Sequence, residues 1–291
     1  MLTQRDQTPE PTWLTLVRLL RWDKPEGRLI LMIPALWAVF LAADGRPAPL
    51  LVGVIVLGSL ATSAGGCVVN DLWDRDIDPQ VQRTRTRPLA ARALSIKTGI
   101  VVAFVSFACA WGLSLYLNPL SFWLCVAAMP VIVLYPLAKR VFPVPQLVLA
   151  IAWGFAVLIS WSAVKGHLEP ATWLLWGATV LWTLGFDTIY AMADREDDRR
   201  LGIQSSALFF GKYVVQAVIV FLTATACLLA GLGILMQLQA GFWLSLTLAI
   251  LGWAWQAYIL RHPSLPASTY GQLFRQNVWI GGILLAGMIL G

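Results

Sequence analysis

Nine apolar runs, most of them about twenty residues long, restrict the fold of this chain more than any other feature. A helix of that length crosses the hydrocarbon core of a bilayer and satisfies its own backbone where no water is present. Of the 291 residues, 58% are apolar and only 12% are charged, which excludes a soluble globular domain. We therefore predict an all-α membrane protein with nine transmembrane helices. The predicted spans cover residues 29–44, 49–70, 98–118, 120–137, 146–164, 171–190, 213–236, 240–260 and 275–290.

The distribution of Lys and Arg predicts the topology. With nine spans, 19 of the 21 Lys and Arg residues fall on one side of the membrane, and only Arg46 and Lys165 fall on the other. Basic residues accumulate in cytosolic loops, so the N-terminus is predicted to be cytosolic. We interpret residues 1–28 as a cytosolic N-terminal segment, with an amphipathic helix over 12–22, and residues 29–291 as a single membrane domain. The net charge of +6 then reflects topology and contact with membrane lipid, so we expect no nucleic-acid partner.

Four carboxylates follow directly on the second apolar run. Asp71, Asp74, Asp76 and Asp78 lie within eight residues, immediately after Asn70. Carboxylates this close repel one another unless a cation holds them together. On a helix, at about 100° per residue, Asp71, Asp74 and Asp78 fall within about 60° of one another. Asn70 lies beside this face, whereas Asp76 points to roughly the opposite side.

These side chains are all oxygen donors, and no His or Cys lies between Asn70 and Asp78. Hard oxygen ligands suit Mg²⁺, which usually takes its remaining ligands from water and from substrate phosphates. The alternative is a solvated acidic helix end, a common surface pattern.

A second acidic stretch follows the sixth span. On a helix, Asp187, Asp194 and Asp198 fall within about 40° of one another, with Tyr190 beside them, while Glu196 points away. The second and sixth spans are four apart, so both acidic ends are predicted to face the cytosol. We expect them to converge from opposite halves of the bundle.

Basic residues are predicted on the same cytosolic face. Carboxylates that hold a metal, with Arg and Lys among them, match the needs of a Mg²⁺–diphosphate group. Some of these cations serve only the topology. The basic residues concerned are Arg83, Arg85, Arg87, Arg92, Lys139, Arg140 and Lys212.

A diphosphate site at the membrane surface suggests a substrate with a lipid tail, such as a polyprenyl diphosphate. An allylic carbon gives a resonance-stabilised cation, which a dry apolar cavity would shield from water. A divalent-cation transporter is the alternative from another class, since intramembrane carboxylates can line an ion path. Against it, the acids cluster at one face and none is predicted at mid-membrane depth.

The acidic stretches resemble the two signatures of the UbiA superfamily of intramembrane prenyltransferases. They read Asn70-Asp71-x-x-Asp74-x-x-x-Asp78 and Asp187-x-x-Tyr190-Ala-x-x-Asp194-x-x-x-Asp198. Further motifs are similar to those of the 4-hydroxybenzoate polyprenyltransferases. These motifs are Arg21-x-Asp23-Lys24-Pro25-x-Gly27, Arg83-Thr-x-x-Arg87-Pro88-Leu89 and Tyr135-Pro136-x-x-Lys139-Arg140. The stretch from Trp22 to Gly45 most resembles members from photosynthetic bacteria, which implies a solanesyl-type donor and a product that feeds plastoquinone.

The resemblance implies nine helices around a central cavity and a Mg²⁺-dependent reaction. A polyprenyl group would pass from its diphosphate to the ring carbon ortho to the hydroxyl of 4-hydroxybenzoate, in ubiquinone or plastoquinone biosynthesis. The site would face the cytoplasmic side of the bacterial plasma membrane. The implied metal ligands are Asn70, Asp71, Asp74, Asp78, Asp194 and Asp198. The implied catalytic residues are Asp71, Asp74, Asp187, Tyr190, Asp194 and Asp198. The implied substrate-binding residues are Arg21, Lys24, Arg83, Arg87, Tyr135, Lys139 and Arg140.

One departure from the resemblance concerns the acceptor. The stretch Ala64-Gly-Gly-Cys-Val-Val-Asn-Asp71 also resembles these enzymes, but many members carry an Arg just before it, where this chain has Thr62 and Ser63. Either another cation binds the acceptor carboxylate, or the acceptor differs. Homogentisate, a naphthoate, chlorophyllide and haem are the alternatives.

Overall fold

The computed structural model describes residues 11–262 and 265–290, and within these ranges all regular secondary structure is helical. Residues 1–10 of the predicted N-terminal segment lie outside the described residues. Short 3₁₀ turns occur at Asp78–Gln80, Met192–Asp194 and Gly211–Tyr213. The α-helices are α1 (Thr12–Leu19), α2 (Glu26–Ala42), α3 (Pro49–Trp73), α4 (Ile96–Ser114), α5 (Pro119–Val141), α6 (Pro145–Lys165), α7 (Pro170–Ala191), α8 (Arg195–Leu201), α9 (Ser206–Phe210), α10 (Val214–Leu235), α11 (Ala240–Leu260) and α12 (Ala267–Leu290).

Seven helical stretches among the described residues are long and apolar enough to cross a membrane. They are α3, α4, α5, α6, α11, α12 and the stretch Ser206–Leu235, which joins α9 to α10. The other two predicted spans correspond to α2 and α7. Helix α2 has only 17 residues. Helix α7 has 22, and 14 of them are buried against other helices, so it needs little apolar surface toward lipid. The integral membrane class is clear, and the count of nine stays a prediction.

Proline and capping residues define where several helices begin and end. Helices α3, α5, α6 and α7 each have a proline in their first turn, where the missing N–H breaks no hydrogen bond. Glu169 and Thr172 form a reciprocal capping box at the start of α7. Gly166 ends α6 with a φ of 76°, a left-handed conformation that glycine adopts without strain.

The last predicted span was too short. Helix α12 begins at Ala267, whereas the apolar pattern placed the start near residue 275. The additional turns carry Ser268, Thr269 and Gln272, and such polar residues fall outside an apolar run although they continue the helix.

The core of the bundle lies where α2, α7 and α12 meet. The rings of Trp37 and Trp182 pack with their centroids 4.9 Å apart. The Trp37 indole donates a hydrogen bond to the carbonyl of Gly281 at 3.0 Å. A Cβ at Gly281 would lie 2.8 Å from Cη2 of Trp182 and 3.0 Å from Ile33. Glycine is therefore required for this close approach of the three helices.

A buried polar network joins α7, α11 and α12 around Asn277. Its Oδ1 accepts hydrogen bonds from the indoles of Trp182 at 3.0 Å and Trp253 at 3.2 Å. Its Nδ2 donates to Gln256 Oε1 at 3.2 Å and to the Leu273 carbonyl at 3.0 Å. Because every hydrogen-bonding position of the amide is used, the network specifies one packing of the three helices.

We expect Asn277→Ala to lower the unfolding temperature of the protein in detergent, followed by intrinsic tryptophan fluorescence. The change leaves two buried indole N–H groups without an acceptor, and each such group costs about 1–3 kcal/mol. Gln239→Ala, an exposed amide at the start of α11, serves as the control. Equal unfolding temperatures for the two variants would show that the network contributes nothing.

Candidate active site

The first acidic stretch is not one continuous helix, contrary to the assumption behind the sequence prediction. Helix α3 ends at Trp73, and turns follow it. The backbone nevertheless keeps two hydrogen bonds of helical spacing. The Asp74 N–H donates to the Asn70 carbonyl at 3.0 Å, and the Asp78 N–H donates to the Asp74 carbonyl at 2.8 Å. The predicted face therefore survives past the end of the helix.

Burial divides the carboxylates as the helical face predicts. Asp71, Asp74 and Asp78 are 1%, 2% and 4% exposed. The Asp76 side chain is 80% exposed and pairs with Arg92 at 2.6 Å on the surface. Removing a charge from water is costly, so the three buried carboxylates require compensating cations.

Two arginines compensate Asp71. Its Oδ1 accepts a hydrogen bond from Arg21 Nη2 at 2.6 Å and lies 3.3 Å from Arg87 Nη1. Arg87 Nη1 also donates to Asp78 Oδ2 at 2.8 Å, so one guanidinium bridges two acids of the stretch. Arg21 follows α1 with a φ of 59°, a backbone conformation that is uncommon outside glycine.

Lys139, near the end of α5, compensates Asp74. Its Nζ donates to Asp74 Oδ2. The other oxygen, Asp74 Oδ1, is buried without a hydrogen-bond partner in the described part of the chain. Burial raises the pKa of Asp74, and the nearby charge of Lys139 opposes that rise. A further cation at this oxygen would favour the ionised carboxylate.

The second acidic stretch continues past the end of α7. Asp187 lies on α7, Asp194 ends the following 3₁₀ turn, and Asp198 lies on α8. Burial raises the pKa of Asp198 to about 6, with a contribution from the negative charge of Asp194. Glu196 is exposed and pairs with Arg199 at 2.8 Å, away from the other acids as predicted.

Arg83 connects the two stretches. It lies in the loop after the first stretch, and its Nε is 3.1 Å and 3.0 Å from the two carboxylate oxygens of Asp194, while Nη2 also donates to Asp194. Its Nη1 donates to the Tyr190 hydroxyl at 2.8 Å, and its guanidinium lies 4.6 Å from the centre of the Tyr190 ring. The predicted convergence of the two acidic helix ends is therefore present in the structure.

The acidic stretches and their cations surround a cavity of about 280 Å³, which we call the head cavity. One wall comes from the first stretch and its loop, the other from the second stretch, and α5 contributes Tyr135 and Lys139. The predicted site residues that line it are Asn70, Asp74, Asp78, Arg83, Arg87, Tyr135, Lys139, Asp187, Tyr190, Asp194 and Asp198.

A second cavity of about 1300 Å³, which we call the tail cavity, lies beside the head cavity. The two share Asn70, Tyr135, Asp187 and Tyr190 among their lining residues, and Arg21 and Lys24 line the larger one. Its other walls are mostly apolar side chains of α3, α4, α5 and α6. They include Phe104, Phe107, Trp111, Leu117, Met129, Ile132, Trp153, Phe155 and Ile159. A charged cavity thus adjoins one with room for a long apolar group.

Two predicted site residues line neither cavity. The Asp71 carboxylate faces Arg21 and Arg87 instead. Arg140 is exposed, and its Nη2 donates to the carbonyl of Trp73 at 2.6 Å, which satisfies a backbone group at the end of α3. Arg140 is therefore placed to cap a helix, while its neighbour Lys139 reaches the site.

Sequence reasoning missed several polar and charged lining residues, among them Gln146 and Arg28. Gln146 lines the head cavity and accepts a hydrogen bond from the Ser206 N–H at 2.8 Å, and no motif marks it. Arg28 lines the tail cavity. The sequence places this charge directly before the first apolar run, which could have indicated a role in the site. Arg28 was instead counted only as evidence for the topology.

Residues 31–280 match the UbiA prenyltransferase family. This chain belongs to that family. It is 67% identical over 291 residues to the 4-hydroxybenzoate solanesyltransferase of Synechocystis sp., covering 100% of this chain and 99% of that protein. It is 39% identical over 287 residues to the 4-hydroxybenzoate octaprenyltransferase of Ralstonia nicotianae, covering 98% of each.

Solved UbiA structures share the fold. The apo UbiA homologue of Aeropyrum pernix superposes with a TM-score of 0.79 at 24% identity, over 90% of this chain and 96% of that one. A UbiA homologue of Archaeoglobus fulgidus bound to GPP and Mg²⁺ superposes with a TM-score of 0.71 at 18% identity, over 93% and 99%. The helical bundle of this UbiA protein is thus an established arrangement.

The head cavity has the donors for a divalent cation, although Lys and Arg now face its carboxylates. No three Asp, Glu, His or Cys side chains within 11–262 and 265–290 lie close enough to hold one metal ion. However, Asp74 Oδ1 is buried and unpartnered, and the donors around the cavity are carboxylate and amide oxygens. Oxygen donors of this kind fit Mg²⁺.

We expect Mg²⁺ with inorganic diphosphate to raise the unfolding temperature of the wild-type protein, because a ligand that binds only the folded state stabilises it. Asp74→Asn and Asp194→Asn should each remove most of this rise, since each removes a donor from one wall of the head cavity. The exposed Asp76→Asn should keep it. An equal rise in all three variants would place the metal elsewhere.

Proposed function

We propose that this protein is a 4-hydroxybenzoate polyprenyltransferase. It transfers a long polyprenyl group from polyprenyl diphosphate to the ring carbon ortho to the hydroxyl of 4-hydroxybenzoate, as a step of quinone biosynthesis. The identity of 67% to a solanesyltransferase, over the full length of both chains, supports this acceptor and favours a donor of similar length.

The observation that carries the proposal is the pairing of the two cavities. The head cavity brings carboxylates and cations together from both acidic stretches, and it adjoins a mostly apolar cavity of about 1300 Å³. A diphosphate with a lipid tail requires both environments at once. No such pairing is needed to bind a small soluble substrate or to conduct a metal ion.

The chain divides the chemistry between its two cavities. Bound Mg²⁺ would neutralise the diphosphate and make it a better leaving group. Arg83, Arg87 and Lys139 line the head cavity and supply positive charge to the phosphate oxygens. Asn70 and the carboxylates of Asp74, Asp78, Asp194 and Asp198 would hold the metal. The allylic carbon–oxygen bond then breaks, and both electrons leave on the diphosphate.

The tail cavity governs the second half of the reaction. Its apolar walls exclude water from the allylic cation, which would otherwise be hydrolysed. The ring carbon ortho to the acceptor hydroxyl supplies an electron pair and the new carbon–carbon bond forms. The proton on that carbon then passes to the released diphosphate, and the ring regains its aromaticity. Asp187 and Tyr190 line both cavities, so they are placed to shape the acceptor or metal site at the junction.

We also place the mouth of the head cavity at the cytosolic face of the bacterial plasma membrane. The excess of Lys and Arg on the side of the acidic stretches supports this orientation. Arg21 and Lys24 lie on that side and line the tail cavity, where they are suited to attract the two acidic substrates.

We expect Asp74→Ala and Asp194→Ala to lower kcat by about 10²–10³-fold or more, the cost typical of removing one group that stabilises developing charge. The assay uses purified protein in lipid, solanesyl diphosphate, 4-hydroxybenzoate and Mg²⁺, with the prenylated product separated by chromatography. Chelation of the metal should stop the wild-type reaction.

Asp76→Ala is the matched control, because it removes a carboxylate of the same stretch that points to the surface. It should keep nearly full activity. An equal loss in all three variants would contradict the division of the stretch into site and surface faces. Absence of product from 4-hydroxybenzoate with any donor length would overturn the proposed acceptor.

A further inference from the structure

Arg28 is a buried cation without a hydrogen-bond partner. It is the third residue of α2 and is 2% exposed. Within the described residues, its Nε, Nη1 and Nη2 are all buried and none has a hydrogen-bond partner. A guanidinium carries five N–H donors, and leaving them unmatched away from water is costly. Such a group requires an explanation beyond the fold.

The other buried or half-buried cations of the site are committed to carboxylates. Arg21 pairs with Asp71, Arg83 with Asp194, and Lys139 with Asp74. Arg87, which bridges two acids of the first stretch, is equally occupied. Arg28 differs from this group because it lines a cavity and, among the described residues, forms no ion pair or hydrogen bond with a carboxylate.

The stacking of Arg28 leaves its donors available. Its guanidinium carbon lies 4.2 Å from the centre of the Trp22 ring. This contact with the ring uses none of the N–H donors as hydrogen bonds, so they can still reach a carboxylate with two parallel hydrogen bonds. An aromatic partner therefore holds the arginine in place without consuming its donors.

The position of Arg28 suits an acceptor bound beside the diphosphate. It lines the tail cavity together with Ser63 and Cys67 of α3. Cys67 lies one helical turn before Asp71, about 6 Å along the axis, in the direction away from the head cavity. An aromatic acceptor bound along this direction could present one end of its ring to Arg28 and the other end to the head cavity.

We propose that Arg28 binds the carboxylate of the aromatic acceptor and so selects a phenol that carries an acid group. This inference rests on the proposed function and deepens it. Many members of the family carry an arginine where this chain has Thr62 and Ser63, and these two uncharged side chains line the tail cavity. The inference assigns to Arg28 the positive charge that is missing there. Arg28 is a substrate-binding residue in this assignment, and the bond-forming carbon lies at the other end of the ring.

The test compares Arg28→Gln and Arg28→Lys with Arg92→Gln, an arginine paired with the exposed Asp76. Each variant is assayed for the KM toward the acceptor, the KM toward solanesyl diphosphate, and inhibition by the uncharged amide analogue of the acceptor, 4-hydroxybenzamide.

Arg28→Gln should raise the acceptor KM about 30-fold or more, because a buried charge pair is lost. The diphosphate KM and the inhibition constant of the amide should stay near their wild-type values. Arg28→Lys should be intermediate, and Arg92→Gln should resemble the wild type.

Unfolding temperature separates a binding role from a structural one. An unpartnered buried charge destabilises the substrate-free protein, so Arg28→Gln should unfold at the same temperature as the wild type or higher. A lower unfolding temperature, with equal losses toward the acid, the amide and the diphosphate, would assign Arg28 to structure or to a lipid phosphate and overturn the inference.

The two proposals fail in different ways. Wild-type protein that does not prenylate 4-hydroxybenzoate contradicts the proposed function, and the acceptor assigned to Arg28 fails with it. Wild-type protein that does prenylate it, with an unchanged acceptor KM in Arg28→Gln, contradicts only the assignment of Arg28.

Discussion

The pairing of Arg83 with Asp194 and Tyr190 is the contact on which the site depends, because it joins two acidic helix ends that are distant in sequence. Arg83 follows the first acidic stretch, and its partners belong to the second. Without a cation between them, the carboxylates of the two stretches would repel each other across the head cavity. The bidentate geometry of an arginine also fixes the direction in which the loop approaches α7.

The same logic holds for the buried acids of the first stretch. Asp71, Asp74 and Asp78 each have a Lys or Arg beside them. These cations are also the groups best suited to phosphate oxygens. Substrate binding would then be an exchange of partners, in which the cations would turn to the diphosphate and the carboxylates would hold the metal. Because charge would be replaced by charge, the site would remain neutralised.

Sequence reasoning recovered the features that depend on local periodicity. The apolar runs predict the positions of most membrane helices. An angle of 100° per residue predicts that Asp74 lies on the buried face and that Asp76 points outward. These survive even where α3 gives way to turns, because the backbone hydrogen bonds keep the four-residue spacing.

What the sequence could not supply was the choice of partner. Arg140 and Lys139 are neighbours with the same charge, yet one caps α3 and the other reaches Asp74. Asp71 belongs to the predicted metal face but is taken up by two arginines. Arg28 counted only toward topology until its surroundings were known. The partner of each charged side chain depends on how the helices pack against one another, and the periodicity of the sequence does not contain that information.

A structure of this protein with Mg²⁺ and a non-reactive thio analogue of solanesyl diphosphate tests the central claim most directly. We expect carboxylate oxygens from both acidic stretches at about 2.0–2.1 Å from the bound metal ions, which in turn contact one diphosphate. The prenyl chain should occupy the tail cavity. A diphosphate held by one stretch alone, or bound outside the head cavity, would contradict the claim that the two helix ends form a single site.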